Sequence, residues 1–311
     1  MQRFKNILLV LDPESQETAA FDKAVSLAKQ NNARLTLFSV VYKHPDLHRY
    51  PDSVGETLLT PFVSDRRQWL QRFMLILQEQ GINGEAVVVA GIAFLEIIYE
   101  VLREQHDLVI TTAEEKKGIR ARMFGATSMH LMRKCPCPVW VVKRAQTRPY
   151  VRILAAVDTS AYDPKRDSLN SLILQLARSM ACKESGELHI IHVWNLFGER
   201  YVRSGGMTEK DVQEAKAQEK LEHKQRFDTL LSRVDVSGLK PHLHLIEGDP
   251  DERIPELVVE KGIDLLVMGT LCRTGIAGFL IGNTAEEVLN QVDCSVLTIK
   301  PEGFVTPVTL E

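Results

Sequence analysis

Short runs of consecutive apolar residues alternate with amphipathic stretches along the whole chain. In the first half the predicted strands lie at 7–11, 35–41, 86–90, 107–111 and 139–142, and the first of them is an uninterrupted apolar run. Uninterrupted runs of this length are typical of strands buried on both faces of a parallel sheet. Segments such as 20–28 and 69–77 carry apolar residues at helical spacing, whereas 43–61, with its prolines and glycines, is interpreted as a loop. Strands that alternate with helices predict crossover connections and a doubly wound α/β fold.

The same order of elements then occurs a second time. The matching runs of the second half lie at 153–157, 186–193, 242–247, 264–267 and 296–300. In both copies the first run ends in an aspartate, Asp12 or Asp158. The short polar segment 144–149 ends in a proline and is interpreted as the linker. We therefore predict two domains, residues 1–145 and 150–311, each containing a five-stranded parallel sheet.

A glycine-rich segment in the second half follows the fourth predicted strand. Gly269 and Gly282 are its first and last glycines, and 285–292 then has apolar residues at helical spacing. Asn283 or Thr284 is the expected N-cap of that helix. A strand, a glycine-rich loop and a helix N-terminus together present backbone N–H groups that bind phosphate. The alternative is an ordinary connection whose glycines serve turn geometry.

The aspartate after strand one, this glycine-rich loop and a closing Cys-Pro-Val strand together resemble the universal stress protein family. The likeness occurs once in each half and together covers nearly the whole chain, as in the tandem members of that family. It implies two Rossmann-like domains, each with five parallel strands in the order 3-2-1-4-5. It also implies that the domains pair through their fifth strands, 139–142 and 296–299, whose exposed edges would otherwise be a liability.

Some members of the family bind ATP through the pattern Gly-x2-Gly-x9-Gly-Ser/Thr, and others bind no nucleotide. In the second half, Gly269 and Gly282 fill the first and third glycine positions of that pattern. Cys272 stands at the second glycine position, and Asn283 stands at the Ser/Thr position with the hydroxyl of Thr284 beside it. The second half therefore keeps the pattern in part.

The first half departs further from the pattern. Only Gly125 matches, since Thr112, Glu115 and Ala126 stand at the other three positions. Glu114 and Glu115 also bring negative charge to the place where phosphates would lie. We therefore expect ATP or ADP to bind in the second half only.

The resemblance places Asp158 near the adenosine and gives Val193 a backbone contact with the base. The expected nucleotide ligands are Asp158, Val193, Gly269, Thr270, Arg273, Gly282, Asn283 and Thr284. No P-loop lysine motif occurs, so fast phosphoryl transfer and an enzyme function are not expected. The leading hypothesis is a nucleotide-responsive stress protein without catalysis. The alternatives are an interaction or small-molecule-binding protein without nucleotide, and a slow ATP hydrolase.

Composition and charge limit the classes of binding partner and the cellular compartment that we expect for this chain. The formal net charge of −3 argues against a nucleic-acid binder, and the longest apolar run, 86–95, is shorter than the roughly 18 to 20 residues that span a bilayer. The N-terminus shows no signal-type segment, and the five cysteines are scattered, which favours a reducing cytoplasm. Protein partners are unknown, and a homodimer is left open.

Two other groups of residues suggest metal chemistry. His242 and His244 lie two apart on a predicted strand and share one face, but no third ligand can be named from the sequence. Cys135 and Cys137 flank a proline without a matching second cysteine pair, which fits entry into a strand better than a metal site. No metal is predicted.

Overall fold

The computed structural model describes residues 3–13, 18–113, 124–143, 146, 148–160, 163–196, 208–235, 238–270 and 282–310. Its strands are β1 (Asn6–Val10), β2 (Arg34–Tyr42), β3 (Gly84–Gly91), β4 (Leu108–Thr112), β5 (Val139–Val142), β6 (Arg152–Ala156), β7 (Glu187–Trp194), β8 (His242–Glu247), β9 (Leu265–Gly269) and β10 (Ser295–Ile299). Its α-helices are α1 (Thr18–Asn31), α2 (Asp52–Glu79), α3 (Ala93–Glu104), α4 (Ala126–Lys134), α5 (Pro164–Glu184), α6 (Glu209–Ser232), α7 (Pro250–Lys261) and α8 (Asn283–Gln291).

All ten strands form one continuous sheet in the order β3-β2-β1-β4-β5-β10-β9-β6-β7-β8. Within each half the neighbouring strands are parallel, and the strand order read from the outer edge is third, second, first, fourth, fifth. The predicted fold class, two tandem doubly wound Rossmann-like halves, is therefore confirmed.

The two halves join where β5 and β10 run antiparallel. Trp140 pairs with Leu297 at the centre of this register, and both strands are buried along their length. The Oγ atom of Ser295 accepts a hydrogen bond from the backbone N–H of Lys143 at 3.0 Å. The pairing through the fifth strands, expected from the sequence, is confirmed, and it covers an edge that either half alone would expose.

Lys300 adds a buried polar contact between the halves. Its ammonium donates hydrogen bonds to the carbonyls of Met132 and Arg133 at the C-terminal end of α4, the latter at 3.1 Å. A cation is favourable there because the carbonyls at a helix C-terminus lack intrahelical partners. The ammonium also donates to the hydroxyl of Thr270 at 2.9 Å. Burial lowers the pKa of Lys300 to about 8.

The helices cover both faces of the sheet. Core residues of α1, α2, α5 and α6 pack on one face, and those of α3, α4, α7 and α8 pack on the other. Leu8 and Leu9 of β1 belong to opposite layers, as the alternation of side chains along a strand requires. The continuous apolar runs in the sequence follow from this, because both faces of each central strand are buried.

The interpretation of 43–61 as a loop is wrong for most of that segment. A short 3₁₀ turn occupies Pro45–Arg49, and α2 begins at Asp52 and runs through Pro61. The apolar side chains of Leu59 and Val63 pack against the core, one helical turn apart, on the stripe that continues to Leu70. The packing of that stripe against the core outweighs the tendency of Pro61 to break a helix, and Pro61 itself lies on the exposed side.

Helix α6, from Glu209 to Ser232, is rich in charged residues. A reciprocal capping box starts it: the Thr208 hydroxyl accepts from the N–H of Asp211 at 3.2 Å, and the Asp211 carboxylate accepts from the N–H of Thr208 at 2.9 Å. Across the described residues, no helix is both long enough and apolar enough to cross a membrane.

Candidate functional site

A cavity of about 480 Å³ opens at the carboxyl ends of β6, β7 and β9. Strand β6 is flanked by β9 on one side and β7 on the other, so this is the point where the strand order reverses in the second half. Open α/β sheets bind ligands at such a point because the connecting helices leave in opposite directions. Polar groups line one part of the cavity: Asp158, Arg166, Asn170, Asn283 and Thr284. Apolar side chains line the remainder, among them Leu169, Ile173, Ile191, Ile254 and Met268.

Asp158 lies two residues after the end of β6 and is held by several hydrogen bonds. The amide side chain of Asn170 accepts from the N–H of Asp158 at 3.0 Å and donates to its carbonyl at 2.7 Å. One carboxylate oxygen of Asp158 accepts from the N–H of Ser160 at 3.0 Å. The other lies 3.2 Å from the guanidinium of Arg166. The carboxylate is therefore fixed at the mouth of the cavity.

Arg166 and Asn170 were not recognised as site residues from the sequence. Both lie on α5, which begins at Pro164 with the Asp163 carboxylate accepting from the N–H of Lys165 at 3.0 Å. Asn170 could have been noticed in the sequence as a single amide residue among the apolar residues of one helix face, which is buried in the structure. Arg166 gives no comparable signal, because its role depends on the distance to Asp158 in the folded chain.

Val193 on β7 lies at the cavity with its backbone as well as with its side chain. The carbonyl of Ile191 accepts from Val157 at 3.0 Å on the β6 side, and the carbonyl of Trp194 accepts from Gly248 at 2.9 Å on the β8 side. Peptide groups alternate sides along a strand, so those of Val193 point to the β6 side. Since β6 ends at Ala156, they lie beyond that strand, at the cavity.

The N-terminus of α8 forms another wall of the cavity. The expectation that Asn283 or Thr284 caps this helix is wrong, because Gly282 is the N-cap and no side chain caps the first turn. The helix begins at Asn283, which is one residue earlier than an N-cap at Asn283 would give and two earlier than an N-cap at Thr284 would give. Gly282 takes the extended conformation that an N-cap needs. The first N–H groups of α8 therefore meet the cavity without a side-chain acceptor among the described residues.

Gly269 ends β9 against α5. A Cβ atom at this position would lie 2.7 Å from Cδ2 of Leu169 and 3.5 Å from Cδ1 of Ile173, so a larger residue would displace the apolar lining. Thr270, another expected nucleotide ligand, is not among the described residues that line the cavity, and its hydroxyl accepts a hydrogen bond from Lys300. Arg273, together with Cys272, lies outside the described residues.

A buried pair of histidines supports the loop that carries Asp158. Nδ1 of His192 lies 3.2 Å from the carbonyl of Val157 and 3.4 Å from the N–H of Thr159, and its Nε2 lies 2.7 Å from Nδ1 of His223. Burial, together with the neighbouring His223, lowers the pKa of His192 to about 4. The ring is therefore neutral at neutral pH.

The equivalent region of the first half is built differently. Phe38 pairs with Val10 as Ile191 pairs with Ala156, so a buried phenyl ring replaces a smaller cavity-lining side chain. Arg66 of α2 donates to the Ser39 hydroxyl at 2.9 Å and lies 3.9 Å from the carboxylate of Asp12. Residues 114–123, which include Glu114 and Glu115, lie outside the described residues.

The fold and the cavity define a class: a tandem pair of Rossmann-like α/β units with a crevice at the carboxyl ends of the second sheet's strands. The sequence profile of the universal stress protein family matches residues 3–143 and 149–300. The chain belongs to the universal stress protein family, and it carries the family's unit twice.

Similar proteins extend over the same length. Universal stress protein E of Salmonella typhi is 29% identical over 325 aligned positions, covering 100% of this chain and 99% of the relative. Universal stress protein E of Photorhabdus laumondii is 27% identical, covering 99% and 98% of the two chains. A solved structure of a functionally unknown protein from Pseudomonas aeruginosa superposes with a TM-score of 0.73 at 24% identity, covering 97% of this chain and 94% of that one. That likeness concerns the fold.

Proposed function

We propose that this chain is a nucleotide-responsive stress protein that binds one ATP or ADP in its second half. In this proposal residues 150–311 form the nucleotide-binding domain, and residues 1–145 form a domain whose nucleotide loop has degenerated. The role is binding, without fast phosphoryl transfer, since the sequence lacks a P-loop lysine motif.

The observation that carries the proposal is the convergence of three kinds of group on one cavity. The apolar lining around Ile191 and Met268 suits a purine ring, and the peptide groups of Val193 suit hydrogen bonds to its edge. The fixed carboxylate of Asp158 suits ribose hydroxyls, which donate. The N-terminus of α8 and the guanidinium of Arg166 suit phosphates, which accept. A volume of about 480 Å³ is within the usual range for small-ligand sites.

The differences between the halves support a single site. Thr112 stands where β9 has Gly269, and Phe38 stands where β7 has Ile191. Both changes add bulk where the second half leaves room for a ligand. The carboxylate of Asp12 is more exposed than that of Asp158, at 61% against 34% of its side chain. We propose that Asp12 has a structural role only.

The proposed compartment is the cytoplasm. The cysteines within the described residues, Cys135, Cys137, Cys182 and Cys294, are all thiols. Thiols that stay unpaired suit a reducing compartment.

Mass spectrometry under native conditions tests the proposal on the full chain purified without added nucleotide. We expect ATP or ADP to be retained or, after removal, to rebind at one molecule per chain. If nothing copurifies and no nucleotide binds at millimolar concentration, the alternative prevails, namely an interaction or small-molecule-binding protein. Steady release of phosphate from bound ATP would instead support the slow hydrolase.

A further inference from the structure

Imidazoles and a carboxylate meet at the amino ends of β7 and β8, at the opposite end of the strands from the nucleotide crevice. Glu187 and His189 lie two residues apart on β7, and His242 on β8 pairs with His189 in the register. These residues share one face of the sheet, because side chains two apart point the same way. One potential ligand atom from each of Glu187, His189 and His242 lies within 4.8 Å of the other two. Strand β7 thus supplies two potential ligands beside His242, Glu187 and His189, that the sequence could not name.

His189 is oriented as a metal-binding histidine would be. Its side chain is only 5% exposed, and its Nδ1 lies 3.0 Å from Nε2 of His244. A proton on Nδ1, donated to His244, leaves a lone pair on Nε2. That Nε2 atom is buried and makes no hydrogen bond to any residue that the structure describes. The nearby Oε2 of Glu187 is 3.6 Å away, beyond hydrogen-bond distance.

With the Nδ1 proton donated to His244, Nε2 of His189 and the carboxylate of Glu187 are two acceptors that face each other, which is unfavourable unless a cation lies between them. A metal ion would satisfy both Nε2 of His189 and the carboxylate of Glu187.

The cluster is open to solvent on one side. Glu187 and His242 are exposed, and β8 is the last strand at this edge of the sheet. A cavity of about 560 Å³ joins them to Arg152, Glu260 and Lys261. Arg152 lies 3.3 Å from the Glu187 carboxylate and competes for it, whereas Lys261 is paired with Glu260 at 2.7 Å. An ion can therefore enter, and Glu260 adds a second carboxylate to the same cavity.

We propose that Glu187, His189 and His242 bind one zinc ion, with His244 as the outer partner that fixes the ring of His189. Two imidazoles and one carboxylate are a ligand set that zinc takes, whereas magnesium and calcium prefer oxygen ligands alone. Tetrahedral zinc requires ligand atoms roughly 3.3 to 3.5 Å apart, from its bond lengths of about 2.0 to 2.2 Å. Rotation of the exposed His242 closes the remaining gap. The ion ties the edge strand β8 to β7, and it does so independently of nucleotide.

Isothermal titration of zinc into the full chain, without an affinity tag and freed of metal by chelation, tests this proposal. We expect one zinc per chain and a rise in the melting temperature. His242→Gln and Glu187→Gln should each weaken zinc binding at least about tenfold, the smallest loss usual even for an outer-shell partner. Cobalt bound in place of zinc should give a visible spectrum without thiolate charge-transfer bands, which excludes the buried pair Cys135 and Cys137.

His44→Gln is the matched control, since His44 is an exposed histidine of the first half. It should bind zinc as the unaltered chain does. Circular dichroism without metal checks that each variant folds, and the exposed position of Glu187 provides a second variant should His242→Gln not fold. Absence of zinc binding, or equal affinity in His242→Gln, Glu187→Gln and His44→Gln, would overturn the proposal whatever the nucleotide result.

Discussion

The carboxylate of Asp158 lies 3.2 Å from the guanidinium of Arg166, and both groups line the same crevice. Asp158 is further held through its backbone by Asn170. The proposed acceptor for ribose hydroxyls and the proposed donor for phosphate are thus fixed side by side before any ligand arrives. Such preorganisation reduces the entropy that binding must remove.

Asp158→Asn should weaken ATP binding by about ten- to hundredfold. The carboxylate accepts hydrogen bonds more strongly than an amide, and a bond to a charged group contributes about 1.5 to 3 kcal/mol. Fluorescence anisotropy with a labelled nucleotide measures the loss. Asp12→Asn is the control, because Asp12 occupies the same position after β1, and it should leave affinity unchanged. Equal affinities of the two variants would remove Asp158 from the site.

Arg166→Met should weaken ATP binding about tenfold while leaving adenosine binding nearly unchanged, because in the proposed site the guanidinium contacts phosphate rather than base. In the unaltered chain, the difference between the affinity for ATP and the affinity for adenosine should also fall when salt is added. Arg66→Met, which changes the arginine near Asp12 in the first half, serves as the control. If adenosine binding falls as much as ATP binding, Arg166 acts only by supporting the loop.

Separating the chain into 1–145 and 150–311 should give halves that associate with themselves or with each other. Each half alone exposes the edge strand that β5 or β10 now covers, and every residue of both strands is buried in the whole chain. Sedimentation velocity of each half and of their mixture measures the association. Halves that remain monomeric, folded and soluble, alone and together, would argue against a stabilising role for this pairing.

Stability should fall as the pH drops below about 6.5, in part because of His192. Its folded pKa of about 4 lies below the ordinary value of 6.5, so the unfolded chain holds a proton that the folded chain lacks between these values. The stabilisation is therefore complete above pH 6.5 and is lost towards pH 4, at most about 3 kcal/mol. Urea unfolding at several pH values measures this.

His192→Gln should show a smaller change in unfolding free energy across that pH range. Some dependence should persist, because the pKa values of His130, His189 and His244 are also lowered. His44→Gln, with a side chain 63% exposed, should behave as the unaltered chain does. An unchanged pH dependence in His192→Gln would mean that folding does not lower the pKa of His192.

Much of the fold could be predicted from the sequence, because strands buried on both faces must be continuous apolar runs. The strand beginning at Ile7 and its counterpart at Ile153 show this directly. Helix α2 was truncated in the prediction because Pro61 signals a break locally, whereas the packing of Leu59 and Val63 that overrides it is visible only in three dimensions.

The candidate site was only partly predictable. Asp158 and Gly282 could be placed through their positions after a strand and before a helix, and Val193 could be placed only through the family resemblance. Arg166 could not, because its distance to Asp158 depends on the path of α5. Glu187 and His189, two ligands of the proposed zinc site, are remote from His242 in sequence, and only the register of two parallel strands brings them together.

The most direct test of the central claim is calorimetric titration of ATP into the full chain and into two matched variants. Gly282 and Gly125 are both buried N-cap glycines in extended conformations, so valine perturbs the two helices alike. We predict one ATP per chain, lost in Gly282→Val and retained in Gly125→Val. Two sites per chain, no binding at millimolar ATP, or equal loss in both variants would contradict the account.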